Sequence, residues 1–170
     1  RVPGGETPVK PRDAATIVLI RPAAPNFQVL LLERPQTSRF AAGAFVFPGG
    51  ALDRDDTDSA WAGRLPPVSE QAACAAALRE LFEETGVLPA AGVGPKDQSV
   101  EQARDELLDG RRLFSTLAQK MEWDFSKARI AYFARWITPR SLSMRFDTRF
   151  FLLIVATNTV VSLTGEHDSA

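Results

Sequence analysis

Apolar residues in this chain gather in short aliphatic runs near both ends and in one alanine-rich stretch between them. Residues 15–20 and 27–32 are such runs, and the turn-forming segment from Pro22 to Asn26 between them predicts a hairpin. Residues 45–47 predict a short third strand. Pro48, Gly49 and Gly50 then break regular structure and let a ligand approach bare backbone. A helix is predicted from Ser69, a capping residue, through Thr85, with Gly86 placed to end it. Ala73, Ala76, Ala77, Leu81 and Phe82 recur along it at helical spacing, so they face the core, and the small alanines let the helix lie close to a sheet. Two more helical patterns, 100–108 and 111–120, are split at Gly110, and residues 130–137, 146–155 and 159–163 read as strands. Residues 1–13, with Pro3, Gly4, Gly5, Pro8 and Pro11 among charges, read as a flexible lead-in to one domain over 14–170.

On the long helix Glu80, Glu83 and Glu84 stand at i, i+3 and i+4, along one edge. Clustered carboxylates repel unless a cation sits between them, and hard oxygen ligands of this kind suit Mg²⁺ or Mn²⁺. A solvated acidic helix end is the competing reading. Arg79 is read as pairing with a carboxylate to orient it, rather than touching a substrate. Phe40, Phe45 and Phe47 read as core rather than an adenine-stacking wall, and Asp147 between Arg145 and Arg149 reads as an ion-pair cluster on a strand. Asp53, Asp55, Asp56 and Asp58 form an acidic loop, read as solvated, with a second cation site as the alternative.

Composition narrows the classes. With 170 residues, 45% of them hydrophobic and 24% charged, the chain fits one soluble globular domain with a substantial core. A net charge of −1 gives no footprint for a nucleic-acid or membrane binder. The one cysteine, Cys74, lies among alanines and reads as a packed thiol in a reducing compartment. A cytoplasmic location is expected, although a chain opening on Arg1 does not reveal a removed targeting segment. His167, the only histidine, rules out a multi-histidine zinc centre. Neither a G-x-x-x-x-G-K-(S/T) nor a G-x-G-x-x-G motif occurs, which removes the common nucleotide-triphosphatase and dinucleotide-oxidoreductase readings.

The run Arg79-Glu80-Leu81-Phe82-Glu83-Glu84-Thr85-Gly86-Val87 resembles the second half of the Nudix box, G-x5-E-x7-R-E-U-x-E-E-x-G-U with U aliphatic, and Phe47-Pro48-Gly49-Gly50 resembles its glycine end. Residues 51–78 separate Gly50 from Arg79, where the pattern has thirteen, so an insertion is expected, at about 51–68. Counted back from Arg79, the pattern's first glutamate falls on Gln71, beside Glu70. Upstream, Leu30-Leu31-Leu32-Glu33-Arg34-Pro35, Arg39, Gly43 and Phe47-Pro48-Gly49-Gly50 are similar in spacing to the signature of coenzyme A diphosphatases, L-L-T-x-R-(S/A)-x3-R-x3-G-x3-F-P-G-G. Leu32 and Pro35 depart from it. The long insertion and residues 145–151 resemble the branch of that group with an expanded box.

The resemblance implies an α/β fold, an α/β/α sandwich around a mixed β-sheet. It implies metal-dependent hydrolysis of a diphosphate in coenzyme A or acyl-CoA, giving 3′,5′-ADP and 4′-phosphopantetheine or its acylated form. The alternatives are another small-molecule nucleoside diphosphate derivative (ADP-ribose, a dinucleotide or an oxidised nucleotide) or a Nudix-fold binding module without turnover. Glu83 and Glu84 are the first choice as ligands of Mg²⁺ or Mn²⁺, with Glu80 as ligand or base and the Gly50 carbonyl as a further ligand. Glu166 is a candidate base, with an exposed terminal glutamate as the other reading, and Gly49, Arg34 and Arg39 are the expected substrate contacts. Such families close the sandwich with a C-terminal helix, which is expected to be missing from a chain that stops at Ala170. The uncovered sheet face would then favour a homo-oligomer, or be covered by residues 98–120.

Overall fold

A computed structural model describes residues 9–37, 42–94 and 97–163. Along the chain run β1 (Arg12–Ala23), β2 (Asn26–Val29), β3 (Leu32–Glu33), β4 (Phe45–Val46) and β5 (Gly49–Ala51). Two 3-10 turns, Arg54–Thr57 and Ser59–Trp61, lead to α1 (Gln71–Thr85), α2 (Gln98–Leu108) and α3 (Phe114–Lys120), and the described order ends with β6 (Ile130–Ile137) and β7 (Phe146–Ile154).

The long β1 is the spine of a mixed sheet. One edge pairs in parallel with β7, from Arg12 opposite Phe146 to Ile20 opposite Ile154. Its other edge takes β5 at Ala14–Thr16 and β2 at Ile20–Ala23, both antiparallel. β6 lies antiparallel beyond β7, while β3 and β4 form a separate two-stranded ribbon. The result is an α/β fold with helices flanking a mixed sheet. Alternate residues Ala15, Ile17 and Leu19 of β1 and Phe151 and Leu153 of β7 point into one core, shared with Leu78, Leu81 and Phe82 of α1. Val100, Leu107, Phe114 and Leu117 of α2 and α3 bury into the same core. Residues 98–120 therefore add to the α1 side and do not cover the other face. On that face Phe133 and Trp136 of β6 remain 56% and 68% exposed.

The predicted hairpin, the long helix, the helix around 100–108 and the strands at 130–137 and 146–155 all form. Other expectations are corrected. Gly49–Ala51 is a strand rather than a break, because a Cβ on Gly49 would run into the Ala15 carbonyl and Thr16, and its absence lets β5 close on β1. The capping position of α1 is Glu70, not Ser69. Glu70 takes a left-handed backbone (φ 65°) without a side-chain cap, and its carboxylate is engaged by Arg149 at 3.3 Å. Gly86 (φ 68°) ends the helix as expected, its N–H donating to the Phe82 carbonyl at 2.9 Å. The second of the two later helices starts at Phe114 rather than at 111, because the backbone N–H groups of Arg111 and Arg112 turn back to the Glu106 carbonyl. Residues 159–163 make no strand, since the Ser162 N–H donates to the Thr85 carbonyl at 2.8 Å instead of joining a ladder. Phe45 is 60% exposed on the small ribbon, whose buried face carries Leu32. Asp147 pairs with Arg135 and Arg149, whereas Arg145 turns to the carbonyls of Thr138 and Val9. Phe40 and the chain end from 164 lie outside the described residues.

The acidic loop is solvated only in part: Asp53 and Asp58 are exposed, whereas Asp55 and Asp56 turn inward. Asp53 caps the first 3-10 turn in a reciprocal box with Asp56, and both Asp55 and Asp56 are buried. Asp55 accepts from the backbone N–H of Ser115 at 2.9 Å and from its hydroxyl, tying the loop to α3. Trp61 follows inward, its Nε1 donating to the Asp55 carbonyl at 3.0 Å. Its ring lies 5.2 Å from Phe114 and 6.2 Å from Phe125, and Phe114 in turn meets Phe82 and Trp123. Phe114 is thus the hub of a five-ring cluster that joins the inserted segment to α1. Phe114→Ala should lower unfolding stability by about 3 to 5 kcal/mol, the usual cost of emptying an aromatic site in a core. A denaturant titration followed by circular dichroism measures this, and a loss under 1 kcal/mol would show that the inserted segment is not part of the cooperative core.

Candidate active site

Three parts of the chain meet where β5 passes the C-terminal half of α1. The helix brings Arg79, Glu80, Glu83 and Glu84, the glycine strand brings backbone, and the first 3-10 turn brings Asp56. Arg79 sits among them with little exposure. Its Nε donates to Asp56 Oδ1 at 3.0 Å and its Nη2 to Asp56 Oδ2 at 3.1 Å, a forked pair with fixed geometry. The same Nη2 reaches the Ala51 carbonyl at 3.0 Å, while Nη1 donates to Glu80 Oε1 at 2.7 Å and to Glu83 Oε2 at 3.3 Å. Arg79 therefore orients carboxylates, as its place in the sequence suggested.

Asp56 is the residue that counting back from Arg79 misses. Counted forward from Gly50, five residues lie between it and Asp56, which is the spacing from the glycine to the first acid of the box pattern. The inserted residues come after that acid. Gln71, where backward counting placed the position, bonds instead to the carbonyls of Pro66 and Val68 and closes the turn ahead of α1.

Glu84 turns to the glycine strand, where its Oε2 accepts from the Gly49 N–H at 3.1 Å. Gly50 faces the Glu80 carboxylate so closely that a Cβ there would collide with it. The glycine pair is thus required by the carboxylates as well as by the sheet. The expected three-way convergence of Glu80, Glu83 and Glu84 is not met as the side chains stand. Arg79 bridges Glu80 and Glu83, Glu84 points to Gly49, and among the described residues no group of three acidic, histidine or cysteine side chains is arranged to hold a metal ion.

Three carboxylates, those of Asp56, Glu80 and Glu83, bond to the Arg79 guanidinium, and Glu84 lies beyond them on the Gly49 N–H. Burial pushes Glu83 up to about 7; the Arg79 cation opposes this rise and the Glu80 charge adds to it. Burial likewise raises Asp56 against the pull of Arg79. Burial works against the charge of Arg79, but the Asp56 hydrogen bonds and Glu80 hold its pKa above the ordinary arginine value. The donor set is hard carboxylate oxygen, which fits Mg²⁺ or Mn²⁺. Cys74 offers no rival chemistry, since it is fully buried and burial pushes its thiol up to about 12.

Arg34 stands at the end of β3, its N–H donating to the Ala44 carbonyl at 3.0 Å, and its Nε is buried without a hydrogen-bond partner among the described residues. Arg39, Glu166 and His167 lie outside the described residues. No helix among the described residues is long and apolar enough to cross a membrane.

Comparison with known proteins agrees with this fold. A NUDIX hydrolase from Alicyclobacillus acidocaldarius superposes with a TM-score of 0.81 and 33% identity, covering 94% of this chain and 77% of that one. Two curated relatives, the acyl-coenzyme A diphosphatases NUDT19 of Homo sapiens and of Xenopus laevis, are 28% and 27% identical over 77% and 81% of this chain. The chain spans about half the length of these curated relatives, 48% and 50%. The model of the NUDIX domain matches residues 10–149, from the first strand through the glycine turn and α1 into β7, and on that match the chain belongs to the NUDIX family, with the fold of its hydrolases.

Proposed function

We propose that this chain hydrolyses a phosphoric anhydride in a small molecule linked to a nucleoside diphosphate, using Mg²⁺ or Mn²⁺ held by Glu83 and Glu84. The observation that carries the reading is the arrangement of Asp56, Glu80 and Glu83 on the Arg79 guanidinium, with Glu84 held on the Gly49 N–H, beside the bare backbone of Gly49 and Gly50. A divalent cation, when bound, withdraws charge from the diphosphate and lowers the pKa of the water that attacks it. Glu83 and Glu84 supply its anionic ligands, joined by Glu80 or the Gly50 carbonyl. Arg79, fixed by Asp56, keeps Glu80 and Glu83 from swinging apart. Glu80 is one candidate to take the proton of the attacking water, and Glu166 is the other. Gly49 and Gly50 have no side chains to bar a phosphate from the strand. Water adds across the P–O–P link, so one phosphoryl group gains the hydroxyl and the other leaves as a phosphate ester.

Within this class coenzyme A or acyl-CoA is the finer reading, with 3′,5′-ADP and 4′-phosphopantetheine, or its acylated form, as products. It is supported by the signature spanning Leu30 to Gly50 and by the activity named for the human and Xenopus relatives. The Arg34 guanidinium, whose Nε makes no hydrogen bond among the described residues, and Arg39 belong to the same signature. A second reading within the class, ADP-ribose, a dinucleotide or an oxidised nucleotide, is favoured by Leu32. Where the signature has threonine, this leucine is fully buried and serves the core, leaving no hydroxyl for a substrate.

Two measurements test the proposal. Glu83→Gln and Glu84→Gln keep shape but remove an anionic ligand, so turnover should fall about a hundredfold or more while the circular dichroism spectrum is retained. Wild-type rates in either variant, or activity in excess chelator, would sink the metal assignment. The substrate is tested by incubating the protein with Mg²⁺ and coenzyme A, dephospho-coenzyme A or ADP-ribose and weighing the products by mass spectrometry. If Arg34 reads the 3′-phosphate, coenzyme A should be preferred over its dephospho form about tenfold or more, the usual worth of a charge-assisted contact, and Arg34→Ala should erase the preference. Brisk cleavage of ADP-ribose with neither coenzyme form cleaved selects the second reading.

A further inference from the structure

Glu83 is gripped at both ends. Its carboxylate meets Arg79, and its backbone carbonyl accepts from Nε and Nη2 of Arg104 on α2 at 3.2 and 2.9 Å. That carbonyl is one of the last in α1, where groups have no partner inside the helix. Its neighbours are closed by backbone: the Phe82 carbonyl by the Gly86 N–H at 2.9 Å, and the Thr85 carbonyl by the Ser162 N–H at 2.8 Å. Glu83 alone of these three depends on a side chain from another helix. The last turn of α1 contains no basic residue, so Arg104 brings from outside the cation that a helix C-terminus favours. Gly86 admits it, since a Cβ there would press on Arg104 Nη1 at 3.0 Å. Arg104 and the end of α1 together line a cavity of about 760 Å³ that reaches Val93, Lys127 and Val155. The two bonds to Glu83 hold the guanidinium at the helix end beside Gly86.

We infer that Arg104 is a positioning residue for the metal ligands, fixing the last turn of α1 so that the Glu83 and Glu84 carboxylates keep one spacing and direction. The inference rests on the proposed role of those glutamates. It assigns to α2 a part in the site, although no residue of α2 touches the carboxylates themselves in the bonds described.

The test is Mn²⁺ binding to the metal-free protein, followed by calorimetry, for wild type, Arg104→Ala and Arg104→Lys, with Arg112→Ala as a surface control. Removal of a residue that orients metal ligands weakens binding by about tenfold or more, so Arg104→Ala should raise the Mn²⁺ Kd by about that factor. Arg104→Lys keeps the charge and one donor and should recover part of it, while Arg112→Ala should bind as wild type. If Arg104→Ala does not fold, Arg104→Gln, which keeps the stem and one donor, takes its place with the same expected direction. A folded variant with a lower Tm but wild-type Mn²⁺ affinity would give Arg104 a merely structural role and overturn the inference. Absence of Mn²⁺ binding in the wild type would instead overturn the metal reading on which it stands.

Discussion

One buried cation holds the site together. Arg79 lies under the C-terminal half of α1 with little solvent, and a guanidinium in that position must find fixed anionic partners. Asp56 supplies two bonds from a turn, Ala51 one from a strand, and Glu80 and Glu83 one each from the helix. A strand, a turn and a helix are thereby fixed at a single point. Asp56 closes a forked pair with the guanidinium, and Glu80 and Glu83 bring further carboxylate oxygens to the same point.

The segment between the glycine strand and α1 serves this arrangement rather than decorating it. Its first turn presents Asp56 to Arg79, its Asp55 holds the start of α3, and its Trp61 enters the aromatic cluster. Burying two adjacent aspartates is costly unless each is matched, and here one meets a guanidinium fork and the other a backbone N–H with a hydroxyl. The added chain length thus brings its own core, and the polar ends of that core point in opposite directions, to the site and to the third helix.

The elements legible in the residues alone were those with a repeating pattern: the hairpin of β1 and β2, α1 with its alanine face, and β6 and β7. Glu80, Glu83 and Glu84 were legible for the same reason, since helical spacing places them on one edge before any tertiary contact is known. What escaped was set by partners far along the chain. Asp56 reads as a solvated loop residue because nothing nearby shows that Arg79 will reach it. Ser69 has the composition of a cap, but Glu70 holds that position, with its carboxylate engaged by Arg149 on the last strand. Residues 159–163 have the composition of a strand, but the end of α1 claims the Ser162 N–H. The separation of the three glutamates into two groups likewise follows from Arg79 and the Gly49 N–H, and could not be read from spacing.

The parallel pairing of β1 with β7 bears on how the chain reaches this state. The central strand of the sheet is made first and must wait for residues 146–154 before one of its edges is satisfied. Contacts of such long range are slow to form, because the entropy of closing the intervening loop is spent before the ladder returns it. During synthesis an apolar strand with an open edge therefore leaves the ribosome well ahead of its partner, and in that interval it is a surface for chaperones or for association with other nascent chains.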